Sequence, residues 1–94
     1  MNIVFQAYVY KPEVYKLLQT VPDLEIDQER DCIIKPLALD PECIILARPD
    51  DEFKDATVIE LITGSTYCLK IKFDDYLRIV PHQSARELKS RFCN

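Results

Sequence analysis

The sequence predicts an α+β domain, a mainly antiparallel sheet of four or five strands in the order β-α-β-β-β-β-α-α, with its helices packed on one face. Three observations carry that expectation. Residues 2–10 alternate at the period of two that a strand requires, and a helical apolar spacing starts directly after them. Residues 57–63 and 66–72 are strand-like runs on either side of Gly64-Ser65, a pair suited to a tight hairpin turn. From Asp74 onward the apolar spacing becomes helical again. Ninety-four residues suit one domain, residues 1–94.

In the first strand Ile3, Phe5, Ala7 and Val9 form a wholly apolar face, and Val4, Gln6, Tyr8 and Tyr10 a mixed one. Alternating tyrosines of this kind cover a sheet rim or pair with a partner, and the rim is the expectation here. Pro12 suits a first helical turn, where its missing N–H costs nothing. Val14, Leu17, Leu18 and Val21 then fall on one stripe, which predicts a core-facing helix ended by Pro22.

Residues 23–31 carry a carboxylate at every second position: Asp23, Glu25, Asp27, Glu29 and Asp31. In extended backbone all five point the same way, roughly 7 Å apart. Such a row repels itself and attracts a basic surface. The intervening Leu24, Ile26, Gln28 and Arg30 make a weak inner face, as suits an edge strand or an extended loop, and the charges also guard an edge against pairing. The row imitates the start of a calcium loop, but the sixth position is Gln28 and the twelfth Ile34, where an EF-hand needs glycine and glutamate.

Two apolar runs follow, residues 32–39 and 43–47, separated by the turn signal Asp40-Pro41. Pro36 demotes the first to an edge or a bulge. Residues 49–55 read as a solvated acidic loop; Asp50, Asp51, Glu52 and Asp55 lack the histidines or clustered ligands of a metal site. For the hairpin two registers are open: a two-residue turn sets Tyr67 opposite Ile62, and a longer loop sets it opposite Leu61. Asp74 and Asp75 favour a helix start, with Tyr76, Leu77 and Val80 as its stripe and Pro81 as its end. Ser84 and Glu87 have capping-box spacing for a last helix with Ala85, Leu88 and Phe92 inward. The expected core is Ile3, Phe5, Ala7, Val9, Val14, Leu17, Leu18, Ile33, Ile44, Leu46, Leu61, Leu69, Ile71, Leu77 and Leu88.

Chemistry is sparse. The hydrophobic fraction of 48% against 30% charged residues is that of a folded globular chain. Cys32, Cys43, Cys68 and Cys93 are isolated, with no zinc-ligand spacing, and read as reduced, mostly buried thiols. With no signal-peptide pattern and no apolar run long enough to span a bilayer, a cytoplasmic address and no membrane association are expected. The single glycine leaves no phosphate-cradling loop. His82, the only histidine, has no nucleophile elbow to serve, and the carboxylates lie in polar runs where they stay ionised.

The net charge of −4 hides an asymmetry. Residues 1–75 hold fifteen acids and eight bases, whereas residues 76–94 hold one acid, Glu87, and four bases, Arg78, Arg86, Lys89 and Arg91. The leading expectation is a small acidic, non-catalytic, intracellular protein that regulates or inhibits a partner protein with a basic surface. Asp23, Glu25, Asp27, Glu29 and Asp31 are its expected contacts, and no cofactor or metal is required. A dimeric nucleic-acid-binding regulator would use Arg86, Lys89 and Arg91 instead, although the acidic balance makes nucleic acid a poor partner. A small enzyme would use His82 or clustered carboxylates.

Overall fold

Strands β1 (Ile3–Tyr10) and β2 (Cys32–Leu39) pair antiparallel over their full length, from Ile3 opposite Leu39 to Tyr10 opposite Cys32. The structure is a computed structural model that describes residues 2–80. The expected last helix, with Leu88, and the residues His82, Arg86, Lys89, Arg91 and Cys93 lie outside the described residues. Between β1 and β2 comes helix α1 (Pro12–Thr20), and after β2 a single 3₁₀ turn, Pro41–Cys43. Strands β3 (Ile44–Pro49), β4 (Thr57–Leu61) and β5 (Thr66–Leu69) and helix α2 (Phe73–Ile79) complete the order. The five strands form one wholly antiparallel sheet in the order β2-β1-β5-β4-β3, and the chain is of the α+β class. Pro36 sits on the outermost strand, β2, where a missing donor is tolerated.

β2 and β3 lie at opposite edges, yet only Asp40 and the 3₁₀ turn separate them. The registers would set Leu39 and Ile44 roughly 30 Å apart in a flat sheet. Five Cα steps reach at most about 18 Å. The sheet is therefore strongly coiled, and Leu39 and Ile44 meet in the same core. Asp40 makes the corner by accepting the backbone N–H of Glu42 at 3.0 Å.

That core fills the inner face of the coil. Phe5 and Ala7 from β1, Ile59 and Leu61 from β4 and Leu69 from β5 pack with Leu39 and Ile44, and Tyr76 of α2 and Val80, the residue that caps its C-terminus, close over them. Tyr76, Ile59 and Leu69 are wholly buried. Thr57 is buried too, and its hydroxyl donates to the Ile71 carbonyl at 2.8 Å, so it costs no unpaired polar atom. A second, smaller cluster, Cys32, Phe53 and Ala56, lies on the outer face with Tyr8, Ile26 and Cys68 against it.

Three sequence expectations need correction. The stripe of α1 is not a core stripe: Val14 is buried, but Leu17 and Val21 are half exposed. β1 and β2 are direct neighbours, so their connection leaves and re-enters at one end of the sheet, closed by Lys11 N–H to the Asp31 carbonyl at 3.0 Å. α1 sits in that excursion and has no strands to cross. Val9 is also exposed, because β1 pairs with β5 only at Ala7–Leu69 and Tyr8–Cys68. Beyond Tyr8 the two strands separate and the inner face loses its cover. The hairpin takes neither anticipated register: Tyr67 stands opposite Ile59. The loop has three residues, with Gly64 N–H bonded to the Leu61 carbonyl and Gly64 at φ +92°. This is a turn followed by a left-handed glycine, the usual three-residue solution.

Candidate interaction surface

The acidic run is not a strand. Residues 23–31 form an irregular connection ending in a tight turn. The two-residue alternation nevertheless survives. Asp23, Glu25, Asp27 and Glu29 are exposed, whereas Leu24, Ile26 and Gln28 are partly covered. The inward residues explain it. Ile26 packs against the Cys32–Phe53–Ala56 cluster. Gln28 pairs with a distant backbone: its Oε1 accepts Lys54 N–H at 2.8 Å, and its Nε2 donates to the Lys54 carbonyl at 2.9 Å and to the Tyr8 hydroxyl at 2.9 Å.

The five acids divide into two groups. Asp27 and Asp31 build the turn itself: Asp27 accepts Arg30 N–H at 3.0 Å, and Asp31 accepts Asp27 N–H at 2.7 Å. Asp31 also takes both arms of the Arg30 guanidinium at 3.1 Å. Arg30 first and the Asp27 N–H second hold the Asp31 carboxyl below its ordinary range. Asp23, Glu25 and Glu29 have no such internal use and face solvent.

The Gln28 bridge sets this segment beside the acidic loop between β3 and β4. That loop is built by Asp50, whose carboxylate accepts Glu52 N–H at 2.8 Å, Phe53 N–H at 2.9 Å and the Cys68 thiol at 3.2 Å. Burial works against the charge of Asp50, but these donors outweigh it and keep the carboxyl ionised below its usual value. Phe53 anchors the loop, meeting Tyr8 edge to face with ring centres 5.5 Å apart. Two acidic stretches distant in sequence are thus brought side by side. Bases stand among them: Arg48 lies 3.5 Å from Asp51, and Lys54, Lys70 and Lys72 line a pocket with Glu29 and Asp55.

Beside this surface runs a groove of about 390 Å³. It begins where β1 and β5 separate, so Val9 and Tyr10 line one side and Thr66 and Tyr67 the other. Tyr8, Cys32, Val58 and Cys68 come from the outer sheet face, Tyr15 from α1, and Asp50, Glu52 and Phe53 from the acidic loop. Four of the five tyrosines of the chain line it. Its described lining carries two acids and no base. Burial first, then nearby Cys32 and Glu52, push the Tyr10 hydroxyl above its ordinary pKa. Burial and then Asp50 push the Cys68 thiol up to about 12, so this is a protonated, weakly nucleophilic sulfur.

Cys32, Cys43 and Cys68 are free thiols. Among the described residues no cluster of three or more His, Cys, Asp or Glu is arranged to hold a metal ion, and no helix is long and apolar enough to cross a membrane. No protein family, curated protein or solved structure matches the chain. Gln28, Tyr15 and Phe53 are the site residues that sequence reasoning missed. The alternation of tyrosines at 8 and 10 was the one sequence signal pointing toward the groove.

Proposed function

We propose that this protein is a small non-catalytic regulator that binds the basic surface of a partner protein through the acidic surface joining residues 23–31 to residues 50–55. The observation that carries this reading is the Gln28 bridge to Lys54, because it gathers two acidic segments that would otherwise repel each other. Asp23, Glu25 and Glu29 are the contact acids, since Asp27 and Asp31 are spent on the turn. Charge of this kind accelerates encounter and selects partners more than it deepens affinity.

The test is the triple variant Asp23→Asn, Glu25→Gln, Glu29→Gln. It should melt at the wild-type temperature or slightly above, because it removes self-repulsion and no internal bond. Partners captured from the native host by the wild type should associate about tenfold more slowly with the variant at low salt, and the difference should shrink as salt rises. Capture of the same partners with unchanged salt dependence would refute the reading.

A further inference from the structure

We infer that the tyrosine-lined groove receives the side chain of an arginine on that basic partner, so that the acidic surface attracts the partner and the groove selects the residue. This rests on the proposed function and goes beyond it by naming a chemistry at a second place.

The lining fits a guanidinium in three respects. First, Tyr10 and Tyr15 line the cleft with exposed rings, beside Tyr8, which packs on Phe53, and Tyr67, which packs on the inner core, and a guanidinium stacks on exposed ring faces. Tyr10 and Tyr15 are 40% and 59% exposed, so their rings are open to an incoming group rather than filled by neighbours. Second, the charge is complementary. Glu52 and Asp50 both line the groove, and no described base shares it. The carboxylate of Asp50 is already fixed by three donors from its own loop and from Cys68, so its position is set before a ligand arrives. Third, the groove opens between strands that part after Tyr8 and Cys68, which gives a flat planar group an entry between two backbones. A lysine ammonium would gain the charge but not the stacking, and it holds its water more tightly. An uncharged aromatic or aliphatic side chain would leave Glu52 and Asp50 facing it without a counter-charge.

The experiment uses the full chain with hexa-arginine and hexa-lysine peptides at matched ionic strength. The chain has no tryptophan, so its intrinsic emission comes from tyrosine and reports largely on the groove. Hexa-arginine should bind about fivefold more tightly than hexa-lysine. The paired variant Tyr10→Ala, Tyr15→Ala should bring hexa-arginine down to the hexa-lysine value, and Tyr10→Phe, Tyr15→Phe should keep the preference, because the ring faces remain. The variant Asp23→Asn, Glu25→Gln, Glu29→Gln should weaken both peptides alike and leave their ratio unchanged.

Equal affinities in the wild type, or a preference that survives the alanine pair, would overturn the groove assignment while leaving the acidic-surface reading intact. A rise in hexa-arginine affinity on Arg86→Gln, Arg91→Gln with no matching rise for hexa-lysine would overturn the partner as the source, by making an arginine of this chain the occupant. If neither peptide binds at low salt, the proposed function itself fails and the groove assignment falls with it.

Discussion

On the inner face of the coiled sheet, Phe5, Ile59, Leu69 and Tyr76 exclude water almost completely, and cohesion comes from apolar area contributed by every layer of the fold. On the outer face the buried cluster among the described residues is Cys32, Phe53 and Ala56, and the covering loops are held by a few directed bonds from Gln28 and Asp50. The inner face loses stability in proportion to the area removed from it. The outer face hangs on single polar side chains, and that economy leaves tyrosine rings open to solvent. The proposed recognition surface thus lies mainly across the sheet from the inner core, with Tyr67 shared between the two.

The comparison is most exposed at Ile59. Ile59→Ala empties the centre of the inner core and should cost about 3–4 kcal/mol in urea unfolding. Gln28→Ala removes three hydrogen bonds from a partly exposed site and should cost about 1–2 kcal/mol. Its signature is local: the Lys54 amide should exchange with solvent much faster, while inner-core amides keep their relative protection. If the Gln28 variant costs as much as the Ile59 variant, the two faces are one cooperative unit and the division is wrong.

Smaller effects sharpen the same division. Tyr76 is buried with its hydroxyl unpartnered among the described residues, an unsatisfied group in an otherwise apolar core. Tyr76→Phe should therefore be neutral or stabilise by up to about 1 kcal/mol, read from the thermal midpoint and a matching urea melt. Leu17→Ala should cost under about 1 kcal/mol, because Leu17 is half exposed; the helical stripe alone would assign it roughly 2–4 kcal/mol.

The last effect is absent at neutral pH. Burial, then Asp50, pushes the Cys68 thiol up to about 12, and burial pushes the Tyr76 hydroxyl up to about 12. Both groups are neutral when protonated and both folded values are raised. Their contribution is complete below the ordinary values of 9.0 and 10.0 and is lost as pH climbs toward 12. The melting temperature should stay level to about pH 9 and then fall, and Cys68→Ala should remove the earlier part of that fall. Asp50 has the opposite sign. Its value is lowered, so its contribution is present above the ordinary 3.8 and lost as pH drops below it.

What the sequence could convey divides along the same line. The period of two in β1, the hairpin around Gly64 and the short stripe of α2 are local patterns, and each became the expected element. The register of β4 on β5 was not legible, because Gly64 is the third residue of a three-residue loop rather than the first of a two-residue turn. Ile59, wholly buried, shares the face of Leu61 by the period of two and was nevertheless absent from the expected core. The stripe of α1 was periodic but uncovered, since periodicity says which residues share a face and not what lies opposite. Gln28 looked like a defect in a weak inner face. Its worth depends on Lys54, whose backbone no local pattern could bring alongside.

The short seam between β1 and β5 also imposes an order in time. β5 meets β4 through a three-residue loop, and β1 meets β2 through the excursion carrying α1, so each half of the sheet can form from nearby chain. Ala7 and Leu69 come from opposite ends of the described chain, and their pairing carries the largest closure entropy in the sheet. The halves are expected to assemble first and to join last, at two residue pairs. The groove opens where that join stops. It is then the latest feature the folding chain acquires and the earliest it surrenders, so a ligand seated there would act as a clasp across the two halves and slow their parting.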